Sequence, residues 1–156
     1  MEESELIIRQ GERKDIVQIA NFQVEMALET ENMVLSPMDV RKGVGKFFDE
    51  PQLGFYLVAE IDSTMVACLL VQNEWSDWRN RMVWWIHSVY VHPDYREQGI
   101  FRKMYAHLKK QVKHREDLGG LRLFVDRSNL RAQAVYRSIG MQNDHYLLYE
   151  WMPYDE

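Results

Sequence analysis

The sequence has a single cysteine among its 156 residues, and this scarcity limits the chemistry to be expected. One cysteine excludes a disulfide within the chain. Cys68 lies in an apolar run, and nothing nearby in the sequence would activate it, so core packing is a better interpretation than a nucleophilic role. The sequence also lacks a His, Cys or carboxylate cluster with metal spacing and a Gly-x-Ser-x-Gly turn. We therefore expect neither a metal nor a serine nucleophile.

Long apolar runs are missing too. No stretch reaches the ~20 residues of a membrane span, and the acidic residues 1–5 lack the apolar core of a signal peptide. We therefore expect a cytoplasmic protein without a membrane partner. Repeats, linkers and low-complexity segments are absent, so the length predicts one domain over residues 1–156.

Positive charge is in the minority. The chain has 24 acidic and 19 basic residues, and the net charge of −5 argues against nucleic-acid binding and favours a cationic partner. The basic helix face predicted over residues 102–115 is accordingly interpreted as a solvated surface. Hydrophobic residues make up 46% of the chain and charged residues 28%, which is usual for a globular domain.

Strands and helices alternate along the chain. Apolar and β-branched runs predict strands at 5–10, 54–60, 64–71, 82–88, 121–125 and 144–151. Helical spacing predicts four helices, which begin near Asp15, Ser36, Gly99 and Asn129. Asp15 and Gln18 resemble a capping box for the first of them. This order predicts a mixed α/β sheet.

The stretch from Val89 to Tyr105 joins a strand, a tight loop and a helix. The loop ends in Arg96-Glu97-Gln98-Gly99, and a glycine at the start of a helix lets backbone N–H groups converge on an anion such as phosphate. A single glycine is more often part of a plain turn. No Gly-Lys-Ser/Thr and no three-glycine fingerprint is present, which argues against a nucleotide-triphosphate motor.

Two motifs in this order resemble those of the GNAT superfamily of N-acetyltransferases. They are Arg96-x-x-Gly99-x-Phe101 after a strand, and a downstream motif that begins at Asn129, contains Tyr136 and ends at Gly140-Met141. The family has Gly or Ala at the position of Phe101 and more commonly Phe at that of Met141. The resemblance implies a mostly antiparallel, twisted sheet of six to seven strands flanked by about four helices. It also implies acetyl-CoA as acyl donor, with no metal.

The resemblance implies which residues bind acetyl-CoA. The strand backbone at Val89, Tyr90 and Val91 would contact the thioester and pantetheine, and Asn129 would contact the pantetheine. The pyrophosphate would lie against the loop and the first helical turn, whose residues are Arg96, Glu97, Gln98, Gly99, Ile100, Phe101 and Arg102.

Acyl transfer needs an acid for the thiolate and a base for the amine. Tyr136 is the implied acid, since a phenol with a pKa near 10 is matched to a thiolate, although the residues alone favour a core tyrosine. His87 lies nine places before Arg96, where some members of the family carry a glutamate, and neutral imidazole is a suitable base near pH 7. A histidine packed against the sheet is an equal alternative. Glu74, Glu29 or a water held by either compete for the role of base.

The implied acceptor is a primary amine on a small molecule or a peptide. Glu29, Trp75 and Trp84 are expected to border it, as a carboxylate and an aromatic wall that suit a cationic or apolar group. The alternatives are a solvated carboxylate and tryptophans that anchor a connection on the sheet.

Two functions follow from these expectations. The first is direct transfer of an acetyl group in a ternary complex, and the second is an acyl-CoA-binding or sensor module without turnover, which the ring of Phe101 would support. Release of CoA on addition of amines separates them. The resemblance also allows a homodimer.

Overall fold

The structure is a computed structural model that describes residues 3–154. The chain divides into two compact units, with the boundary between Phe124 and Val125. The first unit contains the sheet and three helices, and the second contains one helix. The strands are β1 (Leu6–Gln10), β2 (Gly54–Ile61), β3 (Thr64–Ser76), β4 (Arg81–Val91) and β5 (Leu118–Leu123). The helices are α1 (Ile16–Glu31), α2 (Pro37–Asp49), α3 (Ile100–His114) and α4 (Leu130–Ser138).

The sheet has the order β1-β2-β3-β4-β5, with three antiparallel pairings and a parallel one between β4 and β5. Two parallel neighbours need a long crossover, which α3 provides. The predicted mixed, mostly antiparallel fold is therefore confirmed. The strand count is lower than expected, because residues 144–151 form no strand in the described part of the chain. A strand requires a neighbour that binds its backbone groups, and aromatic composition alone does not supply one.

Strands β2 and β3 form the predicted hairpin. The turn residues Asp62 and Ser63 have φ values of 48° and 62°. Two left-handed residues make the mirror-image turn whose twist matches that of an antiparallel pair. Strand β3 is longer than predicted and continues to Ser76.

Helices α1 and α2 cover one face of the sheet. Ile19 and Phe22 of α1 and Val44 of α2 pack in one core cluster with alternate residues of the strands. The strand members of this cluster are Tyr56, Val58, Cys68, Leu70 and Tyr90.

The intervening strand residues face the opposite side of the sheet, because side chains alternate along a strand. Leu57, Leu69 and Ile86 are among them, and each is at most 2% exposed. Helix α3 covers this side with Met104 and Leu108, which are fully buried. A sheet with both faces covered by helices follows from the runs of apolar residues in β2, β3 and β4.

A buried ion pair joins β1 to the start of α1. Arg9 donates to both carboxylate oxygens of Asp15, at 2.8 and 3.0 Å, and to Glu60 of β2 at 3.3 Å. Asp15 also accepts the backbone N–H of Glu12 at 2.7 Å. The predicted capping box of Asp15 with Gln18 is therefore wrong, because the Asp15 carboxylate faces backwards to the turn before the helix. Burial by itself would raise the pKa of Asp15, but these hydrogen bonds lower it below its ordinary value.

The remaining boundaries agree in part with the sequence. The Ser36 hydroxyl caps α2 by accepting the Asp39 N–H at 3.3 Å, as predicted. Strand β5, however, begins at Leu118 and not at residue 121 as predicted, so Gly119 and Gly120 lie inside the strand. The Cβ of any larger residue at 119 would lie 3.3 Å from the Arg81 Cβ, which explains a glycine inside this strand.

We predict that Asp15→Asn lowers the free energy of unfolding by about 2 kcal/mol, because it removes the closer of the two carboxylates that accept hydrogen bonds from a half-buried guanidinium and leaves only that of Glu60. The exposed Arg13–Asp49 pair supplies the control, since Asp49→Asn should cost less than about 0.5 kcal/mol. Urea denaturation measures both.

Folding lowers the pKa of Asp15, so the stabilisation by this carboxylate is present at neutral pH. It disappears as the pH falls below about 4, the ordinary pKa of an aspartate. Equal losses in the two variants would contradict a special role for Asp15.

Candidate active site

The segment between β4 and α3 is a tight loop whose backbone is partly left-handed. It begins with a 3-10 turn, Pro93–Tyr95, in which the His92 imidazole accepts the Asp94 backbone N–H at 3.2 Å. Glu97 and Gly99 then have φ values of 63° and 73°. Left-handed residues bring neighbouring N–H groups to the same side of a loop, which is how a backbone forms a concave anion site.

Helix α3 starts directly after this loop, with Gly99 as its N-cap. Its first hydrogen bond joins the Lys103 N–H to the Gly99 carbonyl at 3.1 Å. The Phe101 ring lies 6.3 Å from the Tyr105 ring, one turn further along the helix. The first turn is therefore a regular helical turn in spite of the large residue at 101. The start of a helix attracts anions through its N–H groups and its dipole, so loop and helix together fit a phosphate group.

The Arg96 side chain is exposed, but it is bonded to neighbouring residues of the protein. Its guanidinium donates to both carboxylate oxygens of Glu29 on α1 and to the Val91 carbonyl, the latter at 2.8 Å. It also lies 5.6 Å above the Tyr90 ring. The hydrogen bonds from Arg96 lower the pKa of Glu29. Because a carboxylate neutralises this guanidinium, the attraction of the loop for an anion comes mainly from backbone N–H groups.

Tyr90 makes a second connection to α1. Its hydroxyl donates to Glu25 at 2.8 Å, and its ring lies 4.8 Å from the Phe22 ring. Burial and the neighbouring carboxylate raise the pKa of Tyr90 to about 12. Glu25 and Glu29, one turn apart, thus attach α1 to the end of β4 and to the loop, and neither is a purely solvated carboxylate.

Strand β4 contains a β-bulge just before the loop. Its register against β3 shifts between the pairs Leu70↔His87 and Cys68↔Tyr90, which places two residues of β4 opposite one of β3. Ser88 is one of the two, and its φ is 54°. A left-handed serine in a strand is uncommon, so the surrounding contacts must hold it there.

Gln23 of α1 supplies one such contact. Its side-chain amide donates to the Ser88 carbonyl at 3.3 Å and contacts the Cys68 sulfur at 3.6 Å. Gln23 is only 8% exposed. The buried Gln23 amide therefore binds the carbonyl of a residue in the bulge, where the regular pairing of β4 with β3 is interrupted.

Pairing between β4 and β5 stops before the bulge. The last pair is Ile86↔Leu123, whereas β4 continues to Val91. Residues 87–91 therefore have no ladder partner from β5. The contact of the Val89 and Tyr90 backbone with a thioester, which the resemblance implied, stays a prediction.

His87 lies among aromatic rings. Its imidazole is parallel to the Trp85 ring at 6.0 Å and lies 5.8 Å from the Phe124 ring. Burial lowers the pKa of His87, so the imidazole is neutral at pH 7. A neutral imidazole can accept a proton, as the predicted base must.

Glu74 lies within β3 and not in the predicted connection. Its carboxylate accepts a hydrogen bond from Arg122 of β5 at 2.8 Å, and the Arg122 guanidinium lies 5.8 Å from the centre of the Trp85 ring. One oxygen of this carboxylate is already occupied by a guanidinium. Glu74 is thus a poorer candidate for the base than His87.

The tryptophans do not form one wall. Trp84 is 3% exposed and packs between Phe55, at 5.2 Å, and the Arg115 guanidinium, at 5.6 Å. Trp85 points to the other face of the sheet, because neighbours in a strand alternate. Trp75 is 57% exposed near the end of β3. Of the two tryptophans expected to border the acceptor, only Trp75 is therefore accessible.

A cavity of about 460 Å³ lies between α1 and α2 on the sheet. Ser88 of the bulge and Tyr56 of β2 form its strand side. The residues from the helices and their connection are Gln23, Met26, Ala27, Thr30, Glu31, Met33, Leu35, Val40, Gly43, Val44 and Phe47. The cavity thus reaches β4 where β5 no longer pairs with it.

A family model described as the acetyltransferase (GNAT) family matches residues 18–141. The chain belongs to the GNAT family of acetyltransferases. This confirms the resemblance that the two motifs carried. Membership indicates an acyltransferase with acetyl-CoA as its donor.

Solved GNAT structures share the fold over nearly the whole chain. A "possible acetyltransferase" from Clostridium difficile 630 is 35% identical, with a TM-score of 0.89 over 96% of this chain and 98% of the other. A "predicted acetyltransferase" from Clostridium acetobutylicum, solved with acetyl-CoA, is 18% identical, with a TM-score of 0.73 over 94% and 96%. A ribosomal-protein-alanine N-acetyltransferase from Brucella melitensis is 16% identical, with a TM-score of 0.76 over 95% and 99%. No curated protein matches the sequence significantly.

The second GNAT motif lies in the second unit. Asn129 is the N-cap of α4, and its side-chain oxygen accepts the Ala132 N–H at 3.0 Å. Gly140 follows the helix with a φ of 92°, as predicted for its end. Burial raises the pKa of Tyr136, so its phenol is protonated at neutral pH, as an acid must be. The contacts of Asn129 and Tyr136 with acetyl-CoA stay predictions.

Several contacts of this GNAT site were not apparent from the sequence. Gln23 and Ser88 belong to no motif, and residues 65 positions apart in the chain carry no local signal of contact. The pairing of Glu29 with Arg96 was hidden for the same reason. A serine in a run of β-branched and aromatic residues, at Ser88, is a weak signal for a bulge.

Cys68 is buried and burial raises the pKa of its thiol to about 12, which agrees with a packing role. Within residues 3–154, no group of three His, Cys, Asp or Glu residues could hold a metal ion. Over the same residues, no helix has both the length and the apolar character needed to cross a bilayer.

We predict that Ser88→Gly changes the free energy of unfolding by less than about 1 kcal/mol, whereas Ser88→Val lowers it by about 1–3 kcal/mol. Glycine tolerates the φ of 54°, but a β-branched residue does not. Val89→Ile, at the neighbouring position of the bulge, is a control for side-chain size. Equal stability of the valine and glycine variants in urea would show that residue 88 is not left-handed.

Proposed function

We propose that this GNAT protein transfers an acetyl group from acetyl-CoA to a primary amine, by direct attack in a ternary complex. The observation that supports this most strongly is that the loop, the segment of β4 that β5 leaves unpaired, and the cavity adjoin one another. The anion-binding loop follows residues 87–91, which β5 leaves unpaired, and the cavity reaches the same segment at Ser88. A donor bound along the loop and β4 would therefore meet an acceptor that occupies the cavity.

The loop and the first turn of α3 would hold the pyrophosphate. The backbone N–H groups of Gln98, Gly99 and Ile100 lie where the left-handed loop leads into the helix, so they suit phosphate oxygens. Glu29 would hold Arg96 against β4, which positions the loop, and we assign Glu29 to this role in place of acceptor binding. The regular first turn removes the reason to expect that Phe101 distorts this site. It therefore weakens the alternative of a sensor module without turnover.

In the transfer step, the amine nitrogen forms a bond to the thioester carbonyl carbon and the carbon–sulfur bond breaks. A main-chain N–H of β4 at Val89 or Tyr90 would bind the carbonyl oxygen as it gains negative charge. The phenol of Tyr136 would give its proton to the departing thiolate, and His87, directly or through water, would accept a proton from the amine. The products are an amide and CoA.

One domain over residues 1–156 is part of this proposal. The family match crosses the boundary between the two units, and the relative with 35% identity aligns with 96% of the chain.

The proposal is tested by calorimetric titration with acetyl-CoA, followed by a thiol assay for CoA release with a panel of primary amines. We expect micromolar binding, about −8 kcal/mol, and amine-dependent release of CoA. Binding without release for any amine would favour the sensor module. Absence of binding, with an unchanged melting temperature in excess acetyl-CoA, would contradict both.

The acid and the base are tested by variants. Tyr136→Phe should lower kcat by at least about 100-fold with little change in acetyl-CoA affinity, whereas Tyr149→Phe, at a residue that is 88% exposed, should leave both unchanged.

If His87 is the base, kcat should fall as the pH drops below about 6.5, the ordinary pKa of a histidine. Burial lowers the pKa of His87, and the protonated imidazole cannot accept a proton. His87→Gln should remove this acid limb. An acid limb that persists in His87→Gln assigns the base elsewhere.

A further inference from the structure

We infer that the acceptor is a small monoamine with an apolar body and one neutral hydrogen-bonding group, bound in the cavity between α1 and α2. This rests on the proposed function, because it takes the cavity as the acceptor site. It names a chemical class that family membership leaves open.

The size and composition of the cavity carry the first step. A volume of about 460 Å³ suits a small molecule. Most of its lining is apolar, and Met26, Val44 and Phe47 represent the side chains that a ligand body would meet. Burial of an apolar body against such a surface is favourable by about 25 cal/mol per Å².

The charges of the lining carry the second step. Among the described residues that line the cavity, Glu31 is the only one with a charged side chain, and it is exposed at the end of α1. One carboxylate suits an amine with one positive charge as it approaches. A polyamine would place further ammonium groups against apolar side chains, and an acceptor with a carboxylate would meet no cationic side chain, and both arrangements are costly.

Tyr56 carries the third step. It is 4% exposed and its ring packs against the rings of Phe47 and Phe48, yet its hydroxyl makes no hydrogen bond among residues 3–154. No fully buried side-chain nitrogen or oxygen in this part of the chain lacks a partner, so the hydroxyl is not fully enclosed, and Tyr56 is one of the residues that line the cavity. A polar side chain at a largely apolar wall is a site for a hydrogen bond from or to a ligand.

The position of Tyr56 orients the ligand. Tyr56 lies on β2 and Ser88 on β4, with β3 between them, so the two are about 10 Å apart at the usual strand spacing. The amine must lie at the β4 end, where transfer takes place. We therefore place Tyr56 at the opposite end of the acceptor, with a hydroxyl or carbonyl group of the acceptor towards it.

Gly43 offers a variant that fills the cavity without disturbing the fold. It lines the cavity on α2, and a Cβ at this position would meet nothing within 4 Å. Gly43→Phe should also favour the helix, since glycine is the weaker helix former. Lys42→Phe is the matched control, because Lys42 is exposed on the same helix and does not line the cavity.

The experiment uses tyramine, phenethylamine and spermidine with the full chain. We expect kcat/KM for phenethylamine to exceed that for spermidine at least tenfold, and tyramine to be better still. Tyr56→Phe should remove about a fivefold preference for tyramine over phenethylamine, which is the usual size of one lost hydrogen bond. Gly43→Phe should lower kcat/KM for both aromatic amines at least tenfold, and Lys42→Phe should not.

Binding is measured separately, by saturation-transfer NMR of phenethylamine in the presence of CoA. Binding that Gly43→Phe abolishes, without turnover of any amine, would support the cavity and overturn the proposed function. Turnover of spermidine or of a lysine peptide at least as fast as phenethylamine would leave the proposed function standing and overturn this inference. Unchanged phenethylamine turnover or binding in Gly43→Phe would overturn it as well.

Discussion

The two neighbours of β4 impose the constraint on which the candidate site depends. Strand β4 pairs antiparallel with β3 along its length but parallel with β5 only as far as Ile86. The bulge at Ser88 then bends β4, and a bulge increases the local twist of a strand. In a regular sheet the backbone N–H and C=O groups of residues 87–91 would pair with a neighbouring strand on the β5 side. Here β5 does not pair with them, so they can bind a ligand.

Helix α1 holds this irregular segment in place through three polar contacts. Gln23 binds the carbonyl of the bulge, Glu25 binds the Tyr90 hydroxyl, and Glu29 binds Arg96 of the loop. The three residues lie two and then four positions apart on α1, so one helix positions strand, bulge and loop together. The same helix lines the cavity with Met26 and Glu31. A displacement of α1 would therefore change both the loop after β4 and the cavity.

The side chains around the end of β4 carry little free charge. The Arg96 guanidinium is neutralised by Glu29, so the loop presents mainly backbone N–H groups, which do not titrate. Burial among aromatic rings lowers the pKa of His87, so its imidazole is neutral at pH 7. A neutral imidazole can accept a proton, as the proposed base must.

Local patterns were sufficient for much of the fold. The hairpin at Asp62–Ser63, the Ser36 cap and the start of α3 at Gly99 were predicted, because each depends on residues within a few positions of one another. The expected strand at 144–151 and the expected start of a strand at residue 121 were wrong, because a strand exists only through its neighbours. Composition cannot say whether a neighbour is present.

The sequence by itself determined the family, since the loop motif and the motif from Asn129 to Met141 depend on short spacing within single elements. It also determined that the chain alternates strands with helices and that Cys68 packs in the core. Only the tertiary structure decided that Glu29 holds Arg96, that Trp84 faces away from Trp85, and that Tyr56 meets a cavity. These contacts join residues far apart in the chain, and their energies arise only when packing brings the partners together.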